Sequence, residues 1–468
     1  VADVTETATI KPGTWGELLG RERLGTATLL AGGVGLYATN EFLTISLLPS
    51  TVADIGGQRF YAWVIAVYLV GSVVAAAAVN PLLVRFGPRA SYLFTLAIFA
   101  VGTLGCALAP NMELLLVART VQGAAGGMLA GLGYAVINAA LPNWLWTRAS
   151  ALVSAMWGVS VIIGPAMGGI FAQLGIWRWA FGSLVIMTCA MAALVPGALP
   201  ARQHSEEKPS AIPRIPLWSL LLLGAAALAI SAAGVQRATA ATFGLLTVGA
   251  LLVGLFLVVD LKAKATVLPR AAFGPGPLKW MYVTIGLLMA ATMVDMYVPL
   301  FAQHLAGMVP AAAGFFGAVL AVGWTLSEVA SASVSRTATI VRLVAVAPVV
   351  VAVGLAIGAL VLGDHLTWPL ISAWAVGLFI TGSGVGIAWP HLSAWIMGAI
   401  DEPVEAGAAA AAINTVQLIS GSFGAGLAGV VVNVTQGGDA AAARWLSIVF
   451  AVLAAAGMVA SYRASRGR

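Results

Sequence analysis

Charged side chains are scarce: Asp, Glu, Lys and Arg make up 9% of the 468 residues, against about 25% in an ordinary soluble domain. With a hydrophobic share of 60%, that scarcity excludes a chain solvated by water on all sides and makes lipid the expected solvent. Cysteine is nearly absent. Cys106 and Cys189 both fall in apolar runs, which excludes a disulfide framework or a thiolate metal site and leaves two small core residues. Histidine is as sparse, and His304, His365 and His391 lie near the ends of apolar runs, too dispersed for a metal cluster and expected to be solvated or interfacial. The net charge is +6, yet no basic run or arm is present, which argues against a nucleic-acid partner. A nucleophile elbow and a phosphate-binding loop are also missing, so neither an enzyme nor direct ATP coupling is expected. Gly382-x-Gly384-x-Gly386 resembles a nucleotide loop, but no strand precedes it and it lies inside an apolar run.

What the chain has instead is a series of apolar runs of about 20 residues, each the length of a membrane-crossing helix. Fourteen are expected, at 26–50, 60–82, 91–110, 113–140, 148–171, 180–199, 216–233, 241–260, 280–303, 311–333, 342–362, 367–396, 404–433 and 444–462. The polar stretch before the first run contains Glu6, Lys11, Glu17 and Arg21, and no small-residue cleavage site follows that run, so it is expected to be an uncleaved anchor. An even count puts both termini on one side. With that side cytoplasmic, 18 of the 23 Lys and Arg lie in cytoplasmic segments. Only Arg59, Arg178, Arg237 and Arg444 fall outside, and Arg119 lies within a span. The positive-inside bias is clear, and it accounts for the net charge. Trp177, Trp179, Trp280, Trp368 and Trp445 stand near predicted ends, as an interfacial belt requires. Arginine exceeds lysine, and alanine, glycine and valine are abundant, a bias typical of GC-rich bacterial coding. A multi-pass bacterial inner-membrane protein with both termini cytoplasmic is therefore expected.

Two polar breaks, 200–215 and 261–279, bracket a helix pair that holds no buried charge. Removing that pair leaves six helices on each side, which divides the chain into a bundle at 1–199, a linker with two extra helices at 200–279, and a second bundle at 280–468. The expected fold is all-α, two six-helix bundles that rock about a central cavity.

Several motifs carry a family resemblance. In the fourth span, Leu115-x-x-x-Arg119-x-x-Gln122-Gly123-x-x-Gly126 resembles the major facilitator superfamily motif with a membrane-embedded arginine. In the fifth, Gly158 followed by Gly164-Pro165-x-x-Gly168-Gly169 resembles the antiporter motif of exporters in that superfamily. Trp177-Arg178-Trp179 and Tyr297-x-Pro299-Leu300-x-x-Gln303 are similar to the fourteen-spanner drug:proton antiporters. The segment Asn80 to Arg89, a loop after the second span, resembles the cytoplasmic gate motif, but Asn80 stands for its leading glycine and Val84 for its aspartate. Arg85 and Arg89 remain, as gate residues or as simple positive-inside anchors. Asn40-Glu41-Phe42 resembles the drug-antiporter motif of the first span, with the usual acid one residue late. One residue turns a helical side chain by about 100°. The resemblance implies a proton-coupled exporter of lipophilic or amphipathic compounds, with no cofactor and the proton gradient as its energy source.

The residues argue in the same direction without the family. An arginine in a span is costly unless it faces a partner or water, so Arg119 is expected to point into the bundle. Pro165 removes a helical hydrogen bond while Gly164, Gly168 and Gly169 permit close helix approach, for packing or for gating. Glu41, Asp295 and Glu328 lie within spans. Burial disfavours the charged form of a carboxyl, the condition under which it can take up and release protons. Pro299, four residues after Asp295, is expected to leave the Asp295 carbonyl unpaired. Tyr37, Phe42, Met293, Met296, Tyr297, Phe301 and Trp324 are expected to line the cavity, with Asn414 and Gln417 either binding substrate or bonding between helices. Such a surface suits lipophilic cargo: a drug, or an endogenous lipid-like metabolite. A receptor or scaffold without flux is the reading from another class. Expected partners are membrane lipids, protons and a small lipophilic substrate, around a monomer.

The basic residues of 200–215 and 261–279 predict that both segments are cytoplasmic. In a background lacking Cys106 and Cys189, Ser210→Cys should stay unlabelled by an impermeant thiol reagent in intact cells and label after permeabilisation. Labelling of intact cells would reverse the topology.

Overall fold

The structure is a computed structural model that describes residues 14–199, 215–236, 238–334, 336–399 and 403–466. Glu6 and Lys11, the segment 200–214 with Arg202, Lys208, Ser210 and Arg214, Arg237, and Arg468 lie outside the described residues. Fourteen long helices follow one another, and the described residues contain no strand. They are α1 (Leu24–Ile55), α2 (Tyr61–Ala76), α3 (Val79–Leu108), α4 (Met112–Ala135), α5 (Trp146–Gln173), α6 (Arg178–Ala198), α7 (Leu217–Val235) and α8 (Thr239–Lys262). Then come α9 (Leu278–Ala306) and α10 (Pro310–Ala332), each interrupted once, and α11 (Thr337–Val361), α12 (Trp368–Met397), α13 (Pro403–Val434) and α14 (Gly438–Ser465).

Thirteen of these are long and apolar enough to cross a bilayer. The helix left over is α1, which has the length but carries Thr39, Asn40, Glu41, Thr44 and Ser46 along its middle. Its lower apolarity has a structural cause: α1 touches protein and cavity rather than lipid, and almost every residue from Thr26 to Val52 is buried.

The expected loop at Asn80 to Arg89 is corrected. Helix α3 already begins at Val79, and the break falls within it at Gly87, whose φ of 77° and ψ of 171° are not helical. Gly87 tolerates that positive φ, and Pro88 cannot donate the next helical bond, so the two together set the kink. The expected tryptophan belt is also corrected at one position. Trp179, Trp368 and Trp445 are exposed, but Trp177 is buried and its indole N–H donates to Asp54 at 3.0 Å. Arg178 joins it, donating to Asp54 at 2.6 Å and to the Ala109 carbonyl at 3.2 Å.

The first six and last six helices repeat one neighbour pattern. In the first set α1 packs on α5, α2 on α4, and α3 on α4 and α6. In the last set α9 packs on α13, α10 on α12, and α11 on α12 and α14. Lipid supplies no hydrophobic drive for these contacts, so small residues that let backbones meet must supply the packing. Between α2 and α4, a methyl group at Gly123 or Gly127 would overlap the backbone of Tyr68 or Ser72. Ser72 completes that seam by donating to the Gly123 carbonyl at 2.9 Å. Between α10 and α12 the same job falls to Gly382 and Gly386, which lie against the backbone of Leu320 and Trp324. The glycine run at 382–386 is thus a helix-packing face.

The pair α7 and α8 sits outside both sets. It leans on α13 and α2, where Gly234 meets the backbone of Val430 and the Trp63 indole donates to the Ser231 carbonyl at 2.9 Å. No residue of the pair lines the central cavity.

Packing of this kind predicts a sharp contrast between glycines. Gly123→Ala should lower stability by about 1–3 kcal/mol, the usual cost of overpacking, read as a lower thermal unfolding midpoint in detergent. Gly244→Ala on α8, with open space around it, should be neutral or stabilising by about 0.5–1 kcal/mol. Equal midpoints for the two variants would overturn this account of the α2–α4 seam.

Candidate functional site

At the end of the bundle where residues 56–60, 174–177 and 307–309 turn, the two six-helix sets are in direct contact. Gly169 of α5 lies against Ala311 of α10, where a methyl group would come within 2.5 Å of the Ala311 Cα. Gly314 of α10 lies against Ser46 of α1 and the Pro165 carbonyl of α5. Tyr61 of α2 stacks on Tyr297 with ring centroids 4.7 Å apart, and its hydroxyl donates to the Met296 carbonyl at 3.1 Å. Tyr297 in turn stacks on Phe301 at 5.8 Å.

Beneath this contact lies a cavity of about 330 Å³ between the two sets. Its wall comes from α1, α2, α5, α9, α10, α12 and α13. Tyr37, Phe42, Met293, Trp324, Asn414 and Gln417 line it as expected, and so do the three acids Glu41, Asp295 and Glu328. Among the described residues, no Lys, Arg or His lines it. The cavity reaches towards the opposite end of the bundle, where Asn414 is exposed and Glu328 stands four residues from the end of α10.

Three expected lining residues are corrected. Met296, Tyr297 and Phe301 are buried in the closed contact above the cavity and do not face it. The cause is local: Met293–Tyr297 is a 3₁₀ stretch rather than α-helix, so the face that Met293 presents is not continued by the residues after it. That stretch also corrects the backbone reading at Asp295. Its carbonyl is not left unpaired by Pro299, because the Val298 N–H donates to it. The proline still shapes the site, since the α-helix restarts at Val298 with Pro299 in its first turn. Of the Asp295 carboxyl oxygens, Oδ1 is buried without a partner.

Position 40 and position 41 part company as the helical offset requires. Asn40 is fully buried away from the cavity and both its amide atoms lack partners, whereas Glu41 lines the cavity. The acid that faces the space is therefore the displaced one.

Arg119 is 0% exposed and points into the bundle. Among the described residues no carboxylate lies within ion-pair distance of it; the ion pairs there are Arg178 with Asp54 and His304 with Asp439. Neutral groups hold the guanidinium instead. Nε donates to the Val64 carbonyl at 3.2 Å, Nη1 donates to Gln122 Oε1 at 2.6 Å, and the group lies 4.0 Å from the centre of the Tyr68 ring. Tyr68 stacks on Tyr37 at 5.6 Å, and Tyr37 meets Trp157 edge-on at 5.8 Å. A column of Arg119, Tyr68 and Tyr37 thus runs from the buried charge to the cavity wall.

In the antiporter motif, methyl groups at Gly164 and Gly168 would each come within 2.5 Å of α1, at Phe42 and Leu43. Gly158 has no atom within reach of an added Cβ, so it makes no such contact. Arg85 is exposed over the Phe86 ring at 5.5 Å, and Arg89 is half-buried. His391 is not solvated as expected: it is buried, with Nε2 2.9 Å from the Ser331 hydroxyl. Sequence reasoning also missed Trp157, Met289, Thr292, Thr325 and Trp389 on the cavity wall. Met289 was findable, one turn before Met293, and Thr292 lies three residues after Met289 on the same side of the helix. The tryptophans were not, because their facing depends on how α5 and α12 are rotated.

Helices of this number, paired in two like sets around one central cavity, define a multi-pass membrane transporter. The chain belongs to the major facilitator superfamily, whose family model matches residues 30–425. A probable multidrug-efflux transporter of Mycobacterium tuberculosis is 59% identical over 465 residues, covering 99% of this chain and 98% of that one. Multidrug resistance protein 3 of Bacillus subtilis is 22% identical over 76% of this chain and 69% of its own. Among solved structures, the nucleoside transporter NupG superposes with a TM-score of 0.63 at 13% identity, covering 94% of this chain and 100% of that one. An auto-inhibited POT family peptide transporter gives 0.64 at 14% identity, covering 94% and 97%. At those identities the two structures share the fold.

The neutral cradle of Arg119 predicts that charge alone will not replace it. Arg119→Lys keeps the charge but loses the planar fork that serves two acceptors and a ring at once. It should lower the unfolding midpoint by an amount equal to about 1–3 kcal/mol. Wild-type stability in Arg119→Lys would show that the geometry is dispensable.

Proposed function

We propose that the protein is a proton-coupled exporter of lipophilic and amphipathic compounds that works by alternating access in a bacterial inner membrane, with both termini cytoplasmic. The observation that carries this reading is the cavity itself: aromatic and methionine walls around three carboxyls, with no cationic side chain facing in among the described residues. Soft apolar surface repacks around varied ligands, and the efflux names of the relatives agree with that chemistry. The acids give the site a preference for cargo carrying positive charge. The cycle needs no cofactor, and the monomer is the working unit.

Asp295 exchanges the proton in this reading. It sits where α9 changes from α to 3₁₀, with one carboxyl oxygen unpartnered, so its surroundings change when that helix bends. Glu41 reads the cargo, standing beside Phe42 and one turn from Tyr37 on the wall. Helices α5 and α10 meet through Gly169 and Ala311, the surfaces that must separate when the cavity turns outward.

Proteoliposomes loaded with tetraphenylphosphonium, with the proton gradient clamped, test the assignment. Asp295→Asn should abolish gradient-driven export and substrate-induced proton release while keeping substrate binding within about threefold. Glu41→Gln should keep proton release and lower export of the cation at least about tenfold relative to a neutral dye, since a charge contact sheltered from water is worth more than the about 1 kcal/mol of one in bulk water. Wild-type proton release from Asp295→Asn with none from Glu41→Gln would reverse the two roles.

A further inference from the structure

Away from the central cavity, the pair α7 and α8 encloses a groove of about 580 Å³ at the end of the bundle where α7 begins and α8 ends. One wall is the first turn of α7, from Pro216 to Ser219. The other is the last turn of α8 with the residues after it, including Val258, Lys262 and Lys264. Nothing in the transport reading uses this groove.

Three independent features point to an anion within it. The first turn of α7 has no side-chain cap, so the N–H groups of Leu217, Trp218 and Ser219 have no partner within the helix, and the positive end of a 19-residue helix faces the groove. Ser219, which lines the groove, is 1% exposed, and its hydroxyl has no hydrogen-bond partner. A buried hydroxyl without a partner is costly unless a ligand supplies one. Lys262 and Lys264 stand exposed on the facing wall, and no acid lines the groove among the described residues. Asp260, in the last turn of α8, is fully buried and engaged by the backbone N–H groups of Val267 at 2.8 Å and Leu268 at 3.0 Å. That bond folds the chain after α8 back on itself and keeps Lys264 beside the groove.

The depth of the site selects among anions. It lies at the ends of two bilayer-crossing helices, with Leu217 and Val258 on the apolar side and Trp218, 74% exposed, at the level of an interfacial anchor. A phosphate there has lysines and helix N–H groups on one side and space for acyl chains along α7 and α8 on the other. We propose that this groove binds the phosphate of an anionic phospholipid, so that the extra helix pair serves as a lipid-reading element beside α2 and α13.

Native mass spectrometry of the full chain released from bilayers of phosphatidylcholine with graded phosphatidylglycerol tests this. Wild type should retain one more phosphatidylglycerol than Lys262→Ala/Lys264→Ala, whose affinity for that lipid should fall about thirtyfold, the scale of two lysines at an anionic surface. Ser219→Ala should weaken retention less, and phosphatidylcholine retention should be unchanged throughout. Equal phosphatidylglycerol retention by wild type and both variants would overturn the proposal. So would displacement of the lipid by millimolar inorganic phosphate, which would mark a site for the free ion. Crosslinking of a photoreactive group at Leu217 to the chain's own 200–214 segment in place of lipid would also overturn it.

Discussion

Close approach of helix backbones at glycine is the constraint on which this molecule depends. In water a helix seam can be driven by apolar burial, but lipid tails are as apolar as leucine, so the gain must come from contact and from polar groups that meet partners. Gly123 and Gly127 bring α4 onto α2, and that approach brings Ser72 within reach of the Gly123 carbonyl. It also sets Tyr68 beside Arg119. A larger residue at either glycine would push the ring away from the guanidinium and loosen its neutral cradle. The central site therefore inherits its geometry from residues that never touch the cavity.

The polar groups of the core divide by partner. Hydroxyls of Thr44, Thr95 and Thr188 donate to carbonyls one turn earlier on their own helices, which satisfies them without linking elements. Arg119 and Gln122 instead tie α4 to α2 and α3, since Gln122 Nε2 donates to Thr103 at 2.9 Å while its oxygen serves the arginine. The carboxyls at the cavity stand apart from both groups. Asp295 Oδ1 and the buried amide of Asn40 have no partner, the kind of exception that native interiors tolerate where a proton, a water or a ligand takes part in function.

Much of this was legible in the residues alone, because a bilayer imposes one length and one polarity on every element that crosses it. The series of spans, the inward Arg119 and the close packing of Gly164, Gly168 and Gly169 all follow from that solvent. What escaped depended on rotation and on local helix type. The offset from Asn40 to Glu41 was visible as an uncertainty in facing, and only the packed neighbours of α1 decide that Glu41 meets the cavity. Continuing a 3.6-residue period through Met293–Tyr297 put Met296, Tyr297 and Phe301 on the wrong surface, since a 3₁₀ stretch advances 120° per residue. The weak apolarity of α1 was itself a signal of its position between protein and cavity.

The closed end has a further consequence. Arg178 pairs with Asp54 inside the first six-helix set, and His304 hydrogen-bonds to Asp439 inside the last. The contact between the sets includes the rings of Tyr61, Tyr297 and Phe301, glycine faces, and neutral hydrogen bonds from Tyr61 to the Met296 carbonyl and from Asn433 to the Arg59 carbonyl. Parting such a surface breaks dispersion contacts and separates no opposite charges. Ionic strength, which screens exposed charges over a Debye length of about 10 Å at 0.1 M, has little there to act on, and the rhythm of opening is set by how readily aromatic rings unstack and glycine-lined helices slide apart.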